Sequence, residues 1–188
     1  DGSGTLSWTS ASSLTSINTL SDALIEDTGS MYVGNDPSST TDEANYNLAV
    51  GVTALDAVTT GDYNTAVGYS SLTDNTTGLS NTAVGYQSLF KNIDGDANTA
   101  IGHHSLYRNT TGIHNTSVGY KSSLNTTGNG NTTVGYQTLY NNSTGQYNAA
   151  LGKFALKANT TGSYNTAMGY QALNDANRTA DVSAYNTA

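Results

Sequence analysis

The residues whose side chains could do chemistry are few, and several lie within one short stretch. His103, His104 and His114 follow Asp94 and Asp96, and together they could form a metal site or an acid–base cluster. The chain contains no cysteine, which excludes thiol nucleophiles and cysteine-ligated zinc. Its serines have no base fixed beside them, as nucleophilic catalysis requires. We therefore expect the histidines to be surface substitutions and the protein not to be an enzyme.

The best candidate for a metal site is the turn at residues 92–96, which reads Asn-Ile-Asp-Gly-Asp. Calcium prefers oxygen ligands from a tight loop, and Asp94 and Asp96 supply two carboxylates. Two carboxylates and one Asn fall well short of a full calcium loop. The expectation is a solvated turn, with calcium as the alternative and no other cofactor.

Aromatic residues recur at fixed intervals and form the sharpest functional feature. One set of tyrosines shares a single position of the repeat described below: Tyr69, Tyr86, Tyr120, Tyr136 and Tyr170. In stacked β-coils such a column repeats every ~4.8 Å. The rings are therefore expected to stack on one another, and the alternative is that they present a flat surface to glycans.

A repeat of seventeen residues organises most of the chain. Its fullest form reads N-T-A-V-G-Y-x-S-L-x-x-N-T-T-G-x-x, and we number its positions 1 to 17. The copies start at Asn47, Asn64, Asn81, Asn98, Asn115, Asn131, Asn148 and Asn165. Position 5 is Gly in every copy, including Gly68, Gly85, Gly102, Gly119 and Gly135. The copy from Asn115 has sixteen residues, and its late Leu124 predicts that the missing residue precedes Asn125.

Seventeen residues are too few for a helix-pair repeat, so the period predicts a β-solenoid in which stacked coils share their burial. Positions 1 to 6 read as the strand. Alternation places Thr and Val on one face and Asn, Ala and Gly on the other. We expect Val to fill the interior and the small residues, Ala83 and Gly85 for example, to meet another chain. The position-5 glycines should have a positive φ or a close backbone neighbour. Residues 86–92 fit a short second strand or a single helical turn.

The ends of the chain depart from the repeat. Residues 1–29 form an entry segment that we expect to pack on the first coil, where Leu24 and Ile25 fit a strand or a short helix. Residues 30–46 are predicted to be a degenerate first coil, and 47–176 are the eight repeats. Residues 177–188 contain an insertion and the start of a further coil, so we expect a piece of a longer polypeptide.

Composition and charge exclude several classes of function. Residues 1–90 hold ten acids and no Lys or Arg, and residues 91–188 hold four acids and six bases. Because neither half carries a basic stripe, we expect no nucleic-acid binding. No apolar run approaches the ~18 residues of a membrane span, so no membrane insertion is expected.

The repeat unit resembles the repeats of bacteriophage tail-fibre proteins, and it is more loosely similar to the head repeats of trimeric autotransporter adhesins. The resemblance covers roughly residues 30–188. It implies a homotrimeric parallel β-roll, used in a virion tail fibre or on an extracellular surface as a stiff shaft that attaches to a host glycan or protein.

Three other functions remain as alternatives to a viral fibre. The first is a cellular trimeric adhesin head. The second is a polysaccharide-degrading tailspike body, which would need paired carboxylates in a groove; no position of the repeat is devoted to acids. The third is an ice-binding solenoid that uses the Thr columns, which inward-pointing Thr would prevent.

Overall fold

The computed structural model describes residues 23–25, 29–34, 43–174 and 186–187. They form one sheet of eleven strands in sequence order, with one strand for each coil of a β-solenoid. The strands are β1 (Ala23–Ile25), β2 (Met31–Val33), β3 (Leu48–Val50), β4 (Thr65–Val67), β5 (Thr82–Val84), β6 (Thr99–Ile101), β7 (Thr116–Val118), β8 (Thr132–Val134), β9 (Ala149–Leu151), β10 (Asn165–Met168) and β11 (Asn186–Thr187). The predicted β-solenoid of 17-residue coils is confirmed.

Every strand pair from β2 to β11 is parallel, and each residue lies opposite the same repeat position in the next coil. Thr65 pairs with Thr82, for example, and Thr82 pairs with Thr99. Of the described residues none lies in a helix, so none belongs to an apolar helix long enough to cross a membrane.

The two ends of the sheet meet the expectations in different degrees. In the entry segment, β1 is a strand that pairs antiparallel with β2, and residues 1–22 fall outside the described residues. The degenerate coil at 30–46 joins the solenoid through β2, which pairs in parallel with β3. At the other end β11 pairs in parallel with β10, and the insertion at 177–185 lies outside the described residues.

The strand faces are the reverse of those predicted. Ala83 and Ala100 are fully buried, whereas Val84 is half-buried and Ile101 is 40% exposed. The expectation that Val fills the interior, and that the Ala face meets another chain, is wrong. Leu at position 9 already fills the narrow interior together with two columns of Asn, so the facing strand has room only for a small side chain, which is Ala in most coils.

Residues 86–92 form neither a second strand nor a helical turn. They make a turn in which Gln87 and Leu89 have φ of 50° and 51°. The Gln87 N–H donates to Tyr69 O of the preceding coil at 2.9 Å, and the Leu89 N–H donates to Ser105 O of the following coil at 2.9 Å. The turn therefore continues the ladder between coils without a regular strand.

The position-5 glycines are required for close backbone approach. Gly85 has φ of 132°, and a Cβ there would lie 2.7 Å from Gly102 O. Gly102 has φ of 129°, and its Cβ would lie 2.6 Å from Gly119 O. Gly135 also has a positive φ, 142°, and its Cβ would lie 2.8 Å from Gly152 O. The predicted positive φ and the predicted close neighbour are both confirmed.

Buried Asn side chains at position 1 join the coils. Asn98 Nδ2 donates to Gly112 O at 2.8 Å, which closes its own coil, and Asn98 Oδ1 accepts the Asn115 N–H at 3.0 Å. The Asn98 N–H in turn donates to Asn81 Oδ1 at 2.9 Å. We call this column the Asn ladder. Each side chain closes one coil and fastens the next.

In the degenerate first coil, Ser30 takes the place of Asn. Its Oγ donates to Ala44 O at 3.1 Å and accepts the Asn47 N–H at 3.0 Å. A hydroxyl can perform both tasks because it is a donor and an acceptor. The ladder therefore extends one coil beyond the eight recognisable repeats.

A second buried Asn column occupies position 12. Asn92 Nδ2 donates to Gly95 O at 2.9 Å within its own turn and to Asn75 Oδ1 at 2.7 Å in the preceding coil. Asn109 Nδ2 does the same toward Asn92 Oδ1, at 3.2 Å. These side-chain hydrogen bonds link the Asn-Thr-Thr-Gly turns of successive coils, and local turn chemistry forms each turn.

The short coil lacks a residue at a different place from the one predicted. Ser123 takes the Leu position, fully buried with φ of 49°, and buried Thr126 takes the position-12 Asn. Asn115 Nδ2 reaches Gly128 O thirteen residues on, whereas the other coils of the ladder span fourteen. The coil therefore keeps its register through Thr127 and loses its residue inside the turn, not before Asn125.

The substitutions in this coil make its interior polar and divide the apolar core into two clusters, one ending at Leu106 and one beginning at Leu139. Ser122 Oγ and Ser123 Oγ each bond Thr133 Oγ1, at 2.8 and 2.9 Å. Between the clusters, hydroxyl contacts replace Leu and Ala packing. The short coil is therefore the least apolar layer of the rod.

We predict that Thr126→Asn stabilises the protein. Asn109 Oδ1 and Thr126 Oγ1 are buried without a hydrogen-bond partner, and an Asn at 126 restores the donor for Asn109 Oδ1. The free energy of unfolding in urea should rise by about 1 kcal/mol, the net value of one hydrogen bond. Thr111→Asn, on an exposed turn position, should leave it unchanged. An unchanged or lower stability for Thr126→Asn would contradict this account of the position-12 column.

Candidate functional site

The first candidate surface is the outward face of the sheet, which we call the Thr–Val face. It consists of positions 2 and 4 of successive coils: Thr65, Val67, Thr82, Val84, Thr99, Ile101, Thr116, Val118, Thr132, Val134, Ala149, Leu151, Thr166 and Met168. Its apolar column is partly exposed throughout, with Leu151 at 46% and Met168 at 62%. The strands place these side chains in straight rows because the parallel register repeats without a slip. The result is a flat strip of methyl and hydroxyl groups.

The second candidate surface is the column of rings at position 6, which we call the tyrosine column. Tyr69 and Tyr86 stack at 5.3 Å between ring centroids, and Tyr120 and Tyr136 stack at 5.2 Å. His103 takes the intervening position and stacks on Tyr86 and Tyr120, at 4.9 and 5.2 Å. The expected ring stacking therefore occurs, and His103 belongs to it.

Tyr170 differs from the other tyrosines in this column. Lys153 occupies position 6 in the coil before it, so Tyr170 has no parallel ring below and is 67% exposed. Its nearest ring is Phe154 at 6.3 Å, with 51° between the planes. The tyrosines proposed as glycan contacts are thus one continuous stack of four, joined through His103, and one separate ring.

Two of the three histidines lie side by side. His103 and His104 have ring centroids 4.1 Å apart, and His104 Nε2 lies 2.8 Å from Gln87 Oε1. Burial lowers the pKa of His104, with smaller contributions from His103 and Lys121. His114 is at position 17, where its N–H donates to Asp96 O. Within the described ranges, no three His, Asp or Glu side chains could share a metal ion.

The candidate calcium turn is occupied by internal hydrogen bonds. Asp96 Oδ1 accepts the Leu79 N–H of the preceding coil at 2.7 Å. Asn92 is buried in the position-12 column, and its Nδ2 donates to Asn75 Oδ1 and Gly95 O. Of the three candidate ligands, only Asp94 is exposed. The side chains of Asn92 and Asp96 therefore form hydrogen bonds to the preceding coil.

Sequence reasoning missed the role of position 16, where Asp96 lies. In every second coil a side-chain oxygen there accepts the N–H of the previous coil: Asp62 for Asn45 at 2.7 Å, and Asn129 for Ile113 at 2.9 Å. The signal was present as an alternation of short polar and larger residues along this column. The buried role of position-1 Asn was missed too, although Asn occurs in all eight copies.

Comparison of the chain with protein-family models, with curated proteins and with solved structures found no match.

We predict that acid weakens the fold through His104. Because its pKa is lowered in the folded state, the unfolded chain binds more protons below the usual pKa of 6.5, and stability falls as the pH drops below that value. His104→Gln should reduce the loss of unfolding free energy between about pH 7 and about pH 5. An NMR titration of the wild type should place the His104 midpoint below 6.5. A midpoint at or above 6.5 would contradict this.

Proposed function

We propose that the protein is a structural and adhesive fibre segment, not an enzyme, in which parallel copies of the chain associate along the Thr–Val face to form a stiff shaft. The observation that carries the proposal is the unbroken row of half-exposed apolar side chains at position 4, including Val84, Ile101 and Val134. A continuous exposed apolar strip of this kind is typical of an interaction surface.

The geometry of the face favours a second copy of the same chain as the partner. The rows of the face repeat at the coil spacing, ~4.8 Å for parallel strands. A parallel copy has the same spacing, so that every row of Val and Thr meets an equivalent row along the full length. Each coil contributes only two residues to the face, so the area of the contact grows with the number of coils. The resemblance to tail-fibre repeats implies that the assembly contains three copies rather than two.

Adhesion is the proposed role of the remaining surfaces. Exposed rings of the tyrosine column, such as Tyr86 at 43% and Tyr136 at 43%, can pack against the apolar faces of sugars. A rod presents the same contact many times, and multivalency strengthens weak binding. Together with the resemblance, this supports attachment to a host surface by a virion fibre, with a cellular trimeric adhesin as the rival. Acids are sparse along the coils, which disfavours a polysaccharide-degrading tailspike.

The test of this proposal is the mass in solution measured by light scattering. The wild type should have about three times the chain mass of 19.5 kDa, because cyclic association buries the face. Val84→Glu should reduce the mass to that of a monomer, since it places like charges opposite one another in the interface. Ile93→Glu, on an exposed turn, is the matched control and should not. A wild type that is a folded monomer would overturn the proposal.

Ice binding is a second candidate, because the observation that Thr faces outward removes the reason against it. Thr82, Thr99 and Thr116 project from one flat face in consecutive coils, an array that could order water. The same face cannot serve both association and ice, so the two candidates exclude each other. A monomer that depresses the freezing point below the melting point of ice would favour this function; a trimer without such hysteresis would exclude it.

A further inference from the structure

The charges of the chain are divided along the solenoid. Residues 97–174 contain no Asp or Glu, yet they hold Arg108, Lys121, Lys153 and Lys157. The whole chain nevertheless has a formal net charge of −8. The later coils are therefore a cationic region on an acidic protein, and this contrast is the first requirement for attracting an anion.

The three lysines stand against aromatic rings that are exposed or partly buried. Lys153 Nζ lies 5.0 Å from the Phe154 ring centroid and 5.4 Å from that of Tyr136. Lys157 Nζ lies 4.4 Å from Phe154 and 5.9 Å from Tyr140. We call these five residues, with Tyr120 and Lys121 below them, the basic aromatic strip. Lys121 Nζ is 5.2 Å from the Tyr120 ring.

The lysines of the strip have no carboxylate partner within the part of the chain that the structure describes. By contrast, Lys91 pairs with Asp74 at 2.8 Å, in the acidic part of the solenoid. Rings hold the ammonium groups of the strip by cation–π contacts and leave their charge uncompensated. A carboxylate from outside the chain could pair with them at no loss of an existing ion pair.

The strip also lies where the regular ring stack ends. Tyr120 and Tyr136 are nearly parallel, at 11°, but Tyr136 and Phe154 meet edge to face at 76°. The side of the Tyr136 ring that faces away from Tyr120 therefore meets Lys153 Nζ instead of a parallel ring, and 43% of Tyr136 is exposed. Sugar rings pack on exposed aromatic surface through their apolar C–H groups, and here such a surface lies beside Lys153.

We propose that the basic aromatic strip binds a linear acidic polysaccharide through the carboxylates of its uronic acid residues. This inference rests on the proposed adhesive function and names its ligand class. Tyr136 and Phe154 contact the sugar faces, and Lys153 and Lys157 pair with carboxylates. Lys121 lies two coils below Lys153, roughly 10 Å along the axis at ~4.8 Å for each coil, which suits one charge in each disaccharide.

A nucleic acid is the less favoured polyanion. Its phosphates are spaced more densely than the lysines of the strip, and its affinity depends on neutralising many of them. Four bases spread over residues 97–174 cannot follow such a backbone. A polymer with sparser carboxylates and exposed sugar faces matches both the number of charges and the interleaved rings.

The experiment measures binding of the full chain, in the oligomeric state it adopts, to a polymer of alternating uronic acid and N-acetylhexosamine. The matched probe is the same polymer with its carboxylates reduced to alcohols. The variants are Lys153→Gln with Lys157→Gln, and the control is Lys91→Gln, whose lysine lies outside the strip. Neutral glycans and single-stranded DNA are the remaining arms.

The inference predicts binding to the acidic polymer that weakens about tenfold or more in the double variant, on carboxyl reduction and in high salt. Lys91→Gln should bind as the wild type does. Equal binding to the reduced polymer would overturn the inference but leave glycan adhesion intact. Tighter binding to DNA would overturn it in favour of a general polyanion site. Absence of binding to the acidic polymer would overturn it, and absence of binding to every glycan would also remove the adhesive part of the proposed function.

Discussion

The structure depends on the Asn ladder. Each position-1 Asn closes its own coil through Nδ2 and fastens the following coil through Oδ1, as Asn98 does with Gly112 O and the Asn115 N–H. Closure and stacking therefore cannot be separated, since one buried amide performs both. Removing this amide would leave at least two buried polar groups without a hydrogen-bond partner, and each would lower the free energy of unfolding by about 1–3 kcal/mol. A coil of this kind is stable only between neighbours, which is the physical basis of a solenoid.

The ladder also determines what faces outward. Because two Asn columns and the Leu column fill the interior, the strand turns a small residue inward, Ala in most coils and Ser117 or Thr133 in two of them, and the larger Val faces solvent. The same tight closure puts residues such as Gln87 and Leu89 at positive φ, a conformation that costs about 1–2 kcal/mol for a non-glycine residue. Inter-coil hydrogen bonds offset that cost. The outward Val column, on which the proposed association depends, is thus a consequence of an interior crowded by amides.

The periodicity of the sequence predicts the fold, whereas the packing of the interior cannot be predicted from it. The period of seventeen excluded helix-pair repeats and led to the β-solenoid, and it placed Tyr69 and Tyr86 in one column, so their stacking could be foreseen. Alternation separates Ala83 from Val84 but does not say which side is inside, because that depends on what else fills the interior. The predicted place of the missing residue in the short coil was wrong. Leu124 and Asn125 match the Leu and Asn of the repeat by residue type, but Ser123 and Thr126 occupy the buried positions. The basic aromatic strip does not follow from the period, because Lys153 and Lys157 stand at positions where other coils have aromatic residues.

The most direct test of the central claim is hydrogen exchange of the side-chain amide groups in the ladder, followed by NMR. Exposed Asn amides exchange rapidly, but those of Asn81 and Asn98 are buried and donate to backbone carbonyls. They should exchange as slowly as the backbone N–H of Thr99, which bonds Asn115 O, because both open only when coils separate. Rapid exchange of the Asn81 and Asn98 side-chain amides in a protein whose strand amides are protected would contradict the account.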